Sequence, residues 1–600
     1  MTKGVIGLAC LIITASITAS RAESRASSES QLIKLASAKF PNLTRAERAM
    51  LQFADKGNFA RGEFAVAGTS PDPADPSNDP KNASKWPHER DVRVQLIRWL
   101  AIDEHASALV DPKGIRVLGA RIVGPLDLKQ VRVPFPIALV RCSIPEVIVF
   151  DYADMPSLDL SGSDTAGFSG ISLNAHAFVN LGSDPRTNVG GFMASGLVNL
   201  SLAKADNFYF QGGHFHFSAA PYHGFYGFGK SGLKEALVLF HVESKGDVEL
   251  CCGFESEGAV LADESNIGGD LNCSGGRFLN PNNIALSAGL ASIAGSFIAG
   301  DHPFFGGKAG FEADGAVFVP GARVGVVYIQ HARFAGKARD WHGLYGTGIS
   351  ARSGFIWQNV RLENGATLDL RSANVGLVID DEGSWPQPGK LLIDLFTYTG
   401  FGGQYPGDAR SRLRWLGLQD GYYPQPYRQL AKVLRENGDE AGAVQVLIAA
   451  GDARYSKHGW PGRMLGWLLK ITIGYGHRPM LALLWALGIV LIGWAAVFVG
   501  KRAHVMRLTW PETTPPPTGD TSAGLNPLLY SVDLFLPFVN LHQEHYWWPD
   551  EQTSGECSVA GLKMIVRGSA LRTYLWLQIV AGWLLSAIFI AGVTGLLRND

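Results

Sequence analysis

Two stretches near the C-terminus run apolar without interruption: Met480 to Val499 and Thr573 to Leu597 contain no charged side chain. A bilayer core is about 30 Å thick and a helix rises about 1.5 Å per residue, so roughly 20 such residues cross it. Trp485, Trp494, Tyr574, Trp576 and Trp583 lie within these stretches, and Arg478, Lys501, Arg502, Arg572 and Arg598 flank them. Aromatic and basic residues favour those positions at a membrane interface. The other reading, two core helices of a large soluble domain, requires uncharged runs of a length rare in soluble cores. The pattern predicts a membrane domain at 479–600 with transmembrane helices at 480–499 and 573–597. Between them, Leu525 to Val539 is apolar except for Asp533, with Pro527 and Pro537 near its ends. It is too short to span comfortably and predicts a re-entrant or interfacial helix at 525–539, with Trp547 and Trp548 at headgroup level.

From 113 to 400 the texture changes. Apolar residues fall on alternate positions in short segments, as in Leu126 and Leu128, Leu158 and Leu160, and Leu368 and Leu370. A period of two predicts strands, and glycines punctuate them. One phrase recurs as Arg121-Ile122-Val123-Gly124, Asn266-Ile267-Gly268-Gly269, Ser292-Ile293-Ala294-Gly295, Arg323-Val324-Gly325-Val326 and Asn374-Val375-Gly376-Leu377. The later copies stand 26, 31 and 51 residues apart, the last gap having room for two units. Irregular spacings of this size predict the coils of a right-handed β-solenoid (β-helix), with Ile, Val, Leu or Phe inside. A β-sandwich or β-propeller is the other architecture such segments admit. The fold class is thus mainly β, with flanking helical segments and a C-terminal two-helix membrane anchor.

The flanks read as helix. In 23–112, Thr44 and Glu47 form a capping-box pattern ahead of Met50, Leu51 and Phe53. Residues 69–86, rich in Pro, Asp, Asn and Ser, predict a disordered loop. A second helix, opened by Glu89, would carry Val92, Val94, Leu96, Ile97 and Leu100. In 401–478, Tyr427, Leu430, Val433 and Leu434 form one apolar stripe and Ala441, Val444, Leu447 and Ile448 another, with Asn437-Gly438-Asp439 between them. That predicts an αα-hairpin, placed to cap exposed strand edges at the solenoid's end. Met464, Leu465, Trp467, Leu468 and Leu469 beside Arg463 and Lys470 predict a juxtamembrane segment lying on lipid.

Lys3, the apolar run Val5 to Ala19 and Ser20-Arg21-Ala22 predict a secretory signal at 1–22, an uncleaved anchor or a mistaken start being the alternatives. Export would place residues 23 to about 470 outside a plasma membrane and leave 501–572 in the cytoplasm. Basic residues support both orientations: Lys501, Arg502, Arg507, Lys563, Arg567 and Arg572 favour this one, and Arg454, Lys457, Arg463, Lys470 and Arg478 oppose it.

Composition narrows the function classes. A formal net charge of −1 gives no nucleic-acid surface, and six cysteines in 600 residues make no disulfide scaffold. Gly224, Gly229, Lys230 and Ser231 satisfy G-x-x-x-x-G-K-S, the phosphate-cradling loop. That chemistry needs a preceding strand and a following helix, whereas this match sits among short strands, so no nucleotide or other cofactor is expected. His214 and His216 share one strand face and could hold a metal, but outward positions beside Phe215 and Phe217 explain them; His542, Glu544 and His545 lack metalloprotease spacing. No metal site is expected. Cys251 and Cys252 lie about one coil before Cys273, so either a coil-to-coil disulfide or buried thiols fit. Asp380, Asp381 and Glu382 form the densest acidic cluster; a solvated turn is the simple reading, and glycosidase chemistry needs carboxylates facing across a sugar bond.

Residues 119–128, the helical hairpin, Gly474-Tyr475-Gly476-His477-Arg478-Pro479 and Asn526-Pro527-Leu528-Leu529-Tyr530-Ser531 together resemble a group of bacterial membrane-associated proteins with a pentapeptide-repeat-like β-helix. Some members are called oxidoreductases; the catalytic residues that this label would require are unknown here. The resemblance and the residues together lead to the expectation of a membrane-anchored, non-catalytic envelope scaffold at the inner membrane. Its partners would be the lipid bilayer and envelope proteins or cell-wall polymer. The alternative is an enzyme using a groove on the β-helix for carbohydrate.

Overall fold

The computed structural model describes residues 30–55, 63–183, 190–217, 234–301, 310–336, 342–403, 407–508, 524–559 and 562–594. The signal-like segment 1–22 and the phosphate-loop match at 224–231 lie outside them. The chain divides into two units: one holds residues up to Gly407 with Arg414–Gly421, the other Asp408–Leu413 with Tyr422 onward.

The first unit opens with α1 (Gln31–Lys39) and α2 (Arg45–Ala54). The capping box forms as the residues require: Thr44 Oγ1 accepts the Glu47 N–H, and Glu47 accepts the Thr44 N–H. Residues 69–86 are not disordered. Their Asp and Pro residues build 3-10 turns at Pro76–Asn78 and Pro80–Lys85, and the buried Asn78 side chain donates to the carbonyls of Ser70 and Asp72. The next helix, α3 (Val94–Ile102), starts later than Glu89 suggests, because Val92 belongs to strand Asp91–Arg93, paired in parallel with Arg121–Val123. The short α4 (Glu104–Leu109) follows.

From Ile115 to Phe401 the unit consists of two large, open parallel sheets. Each short strand pairs with one roughly 20 to 40 residues further on, so four parallel ladders run through the segment. One joins Asp154, Asn174, Lys204, Glu243, Asn266, Ser292, Arg323, Ser350 and Asn374. Four copies of the recurrent phrase therefore share a ladder, and Ser350 is the unit missing from the 51-residue gap. The Arg121 copy falls on a different ladder, between Asp91 and Ser143.

Within the first passes buried residues recur every five positions rather than every two: Ile148 and Phe150, Ala153 and Met155, Leu158 and Leu160, Ser163 and Thr165, Phe168 and Gly170, Leu173 and Ala175. The residue between each such pair points outward, which is the strand alternation; a sharp corner then resets it. Corner residues Tyr152, Ser172, Leu202, His241, Glu264 and Leu290 all have φ between 53° and 62°. Each also donates its N–H to the next pass, as Tyr152 does to the Ile171 carbonyl at 2.8 Å, so the corners do not interrupt hydrogen bonding.

An aromatic column shows how the interior fills. Phe192, Phe215, Phe254, Phe278, Phe311, Phe334 and Trp357 follow one another with ring centroids 5.2–5.9 Å apart. The first six alternate between the two inward positions of successive strands, each facing a small residue: Ala194, Gly213, Ser256, Gly276, Ala313 and Ala332. A methyl on Gly213 would meet the Phe215 ring at 2.7 Å, so large and small must alternate for the layers to close.

The eight-residue helix α5 (Ala409–Leu416) contains the division between units. In the second unit, α6 (Pro424–Glu436) and α7 (Glu440–Ser456) form the expected hairpin. Gly438 turns with φ +85°, and Asp439 caps α7 by accepting the Gly442 N–H. Tyr427, Leu430, Val433 and Leu434 are buried as predicted; on α7 the buried face is Ala443, Val446 and Leu447, with Ala441 exposed. Next come α8 (Trp460–Ile473) and α9 (Met480–Arg502), then α10 (Pro527–Phe535) and α11 (Gly568–Val593). Helices α9 and α11 are long and apolar enough to cross a membrane. The second starts at Gly568, five residues before the uncharged run. Hairpin Ser554–Val559 with Leu562–Arg567, and strand Met506–Leu508 with Trp547–Pro549, fold part of the connection.

Candidate functional site

The ladders carry polar side chains outward, and those side chains are largely spent on each other. Glu255, Arg277, Glu312 and Arg333 are successive rungs of one ladder. Arg277 contacts Glu255 at 2.9 Å and Glu312 at 3.6 Å, and Arg333 bridges Glu312 at 2.5 Å and Glu363 at 2.9 Å. The Arg333 guanidinium holds the Glu363 carboxyl below its ordinary value. Other rungs repeat this with Lys204–Glu243 at 2.8 Å and Lys245–Asp206 at 2.7 Å. Because neighbouring rungs lie one strand spacing apart, opposite charges on consecutive passes meet without long side chains having to search.

The histidine and acidic candidates fall into the same scheme. His214 and His216 are half-buried on either side of buried Phe215, and His216 Nδ1 lies 3.0 Å from Glu257. Among the described residues no group of three or more His, Cys, Asp or Glu is placed to hold a metal. Asp380, Asp381 and Glu382 do not form a solvated turn. Asp380 is buried and accepts the Trp385 indole N–H at 2.9 Å. Asp381 accepts from Ser384 and from the Asn359 backbone, and Glu382 pairs with Arg414 at 2.8 Å. The cluster is a corner latch, and Ser384 in turn accepts the buried Trp357 indole N–H at 2.7 Å.

Cys251, Cys252 and Cys273 are free thiols. Leu250 donates to the Asn272 carbonyl and Cys252 to that of Ser274, which brings Cys251 into register with Cys273 one pass on. Burial pushes the Cys273 thiol up. For Cys251 the contact with Cys252, 2.6 Å between sulfurs, acts together with burial in the same direction. An acidic patch that no sequence motif marks lies beside them: burial, and then the charges of Asp247 and Glu249, push the Tyr209 hydroxyl up. Its signal in the sequence is Asp247 and Asp270 at one ladder period. These acids too are structural, since Asp247 accepts the Asp270 N–H and Asp270 accepts the Ser296 N–H.

No protein-family model, curated protein or solved structure matches this chain.

The second unit distributes polarity the other way. Leu484, Leu487, Ile492, Leu577, Val580 and Leu584 are each more than half exposed, and all lie on α9 and α11. Helix α10 packs against the middle of both. A methyl on Gly493 would stand 2.3 Å from Ser531 Oγ, and one on Gly582 would stand 2.1 Å from the Phe535 carbonyl. Such glycines let helices approach closely. Ser531 donates to the Val490 carbonyl at 2.8 Å, and Gln578 donates to Ser531 at 2.9 Å. The buried Asp533 carboxylate accepts the N–H groups of Leu541, Gln543 and Glu544. Trp547 does not lie at a lipid surface as expected; it is 6% exposed, and its carbonyl accepts the Tyr530 hydroxyl at 2.7 Å.

Proposed function

We propose that this protein is a membrane-anchored, non-catalytic envelope scaffold, its first unit a right-handed β-solenoid of the pentapeptide-repeat-like kind and its second unit the anchor. The four ladders, the five-residue burial repeat and the stacked corners support the solenoid. The apolar exteriors of α9 and α11 support spanning, since uncharged side chains left bare would be covered by lipid. Helix α10, bonded at mid-height to both, fits a re-entrant element better than an interfacial one.

The observation that carries the scaffold reading is the mutual pairing of outward acids and bases. A glycosidase groove keeps two carboxylates about 5–9.5 Å apart around a sugar; here Glu243, Glu255, Glu312 and Glu363 are tied to lysine or arginine, and Asp247 and Asp270 to backbone N–H groups. The face is suited to presenting a rigid, charge-alternating wall to an envelope protein or cell-wall polymer. The first unit is exported on this reading, with 501–572 in the cytoplasm.

Two measurements test it. A reporter active only after export, fused near residue 110, should be active; an inactive fusion inverts the orientation. Purified full-length protein should release no reducing sugar from cell-wall polysaccharide, and measurable release would replace the scaffold by an enzyme.

A further inference from the structure

Helices α6 and α7 and the turn before α9 enclose a cavity of about 550 Å³. Arg428 comes from α6, Gly451 and Arg454 from α7, and Tyr475 and His477 from the turn, with Tyr422 alongside. None of the described lining residues is acidic. The cavity is built with care at Tyr475, whose backbone adopts φ +57° and whose ring stacks on Tyr455 with centroids 5.5 Å apart. Its hydroxyl donates to Asp452 at 3.0 Å, an acid also held by Lys470 at 2.7 Å. A methyl on Gly451 would come within 2.5 Å of the Tyr475 ring, so only glycine lets that wall close. Lys457 adds a further positive charge 5.9 Å over the Tyr422 ring. The result is a concave site with aromatic walls and converging cations.

Its place along the chain narrows the ligand. His477 stands just before Met480, where α9 begins. The preceding helix exposes Trp460, Met464, Trp467 and Leu468, spaced i, i+4, i+7 and i+8 and so on one face. An apolar face on one helix and the start of a spanning helix bracket the cavity, as expected at headgroup depth.

We propose that this pocket binds an anionic phosphate group, with Arg428 and Arg454 holding the phosphate and the tyrosines packing against the atoms attached to it. The membrane-anchor reading makes a lipid headgroup the source; phosphate recognition itself does not depend on that reading. Guanidinium groups suit this role because their planar donors match phosphate oxygens two at a time.

The test is native mass spectrometry of the full chain in mild non-ionic detergent, titrated separately with phosphatidylglycerol, diacylglycerol (which lacks the phosphate) and inorganic phosphate. Wild-type protein should retain phosphatidylglycerol about tenfold more strongly than diacylglycerol. The double variant R428Q/R454Q should lose that preference, and R454K should keep part of it. Saturable binding of inorganic phosphate without lipid preference would uphold the phosphate site and assign it a soluble ligand. Equal retention of both lipids by the wild type, with no phosphate bound, overturns the proposal without any variant. Alkaline extraction of the chain from membranes separately reports failure of the anchor reading.

Discussion

The two units solve opposite problems with similar residues. In the first, phenylalanines turn inward and the polar side chains between them pair along the outside. In the second, leucines and tryptophans turn outward and the polar side chains, Ser531, Asp533 and Gln578, are enclosed. Apolar content alone does not separate the two; the direction in which side chains face does. On the membrane-anchor reading, each unit's stability rests on a different solvent.

The sharpest way to break the comparison is a matched pair of truncations. Phe254→Ala removes a fully buried ring from the aromatic column and should cost about 3–5 kcal/mol in denaturant unfolding of the detergent-solubilised chain. Leu484→Ala, at a position 65% exposed on α9, should change that unfolding by less than about 0.5 kcal/mol. Equal effects would mean that α9 is packed inside protein.

Next in size is the buried ion pair at the start of the first unit. Glu47 is fully buried, and Arg93 reaches it through Nε at 2.6 Å and Nη2 at 2.7 Å. Burial raises the Glu47 carboxyl, but the hydrogen bonds from Arg93 and Thr44 outweigh it, and the net value is lowered. Glu47→Gln should therefore destabilise by about 3 kcal/mol. A lowered folded value means the pair's contribution is complete above the ordinary glutamate range near 4.5 and disappears as pH falls through the folded value. Wild-type stability should drop there, and the Glu47→Gln variant should show a shallower acid slope in a pH series of unfolding curves.

The smallest effect has the opposite sign. Leu290 holds φ +57° at an exposed corner, a conformation glycine adopts without strain. Leu290→Gly should raise the melting temperature, by about 0.5–1 kcal/mol in stability. A loss would show that the packing of Leu290 Cδ2 over Gly321 outweighs the relieved strain.

These positions also show what the chain discloses about itself. Thr44 with Glu47, the Asn437-Gly438-Asp439 turn and the two uncharged runs are local signals, and each was readable because its physics is local. The recurrent phrase was readable at 266, 292, 323 and 374, where rungs keep the same residue types. The five-residue repeat was hidden, because two-residue strands mimic a period of two and the corners use Tyr, Ser, Leu, His and Glu where glycine would announce a turn. The pairing of Arg333 with Glu312 and Glu363, and of Asp533 with the backbone at 541–544, joins residues set by loop lengths that the sequence does not encode locally. The same holds for the Arg428 and Arg454 pocket, whose walls come from three separate elements.

The direct test of the central claim is alkaline carbonate extraction of membranes carrying the full chain. A chain held by α9 and α11 stays with the membrane pellet, as an integral protein does, while peripheral proteins leave. Recovery of the intact chain in the carbonate supernatant would contradict the account, because two apolar helices with exposed leucines cannot be both outside lipid and stable in water.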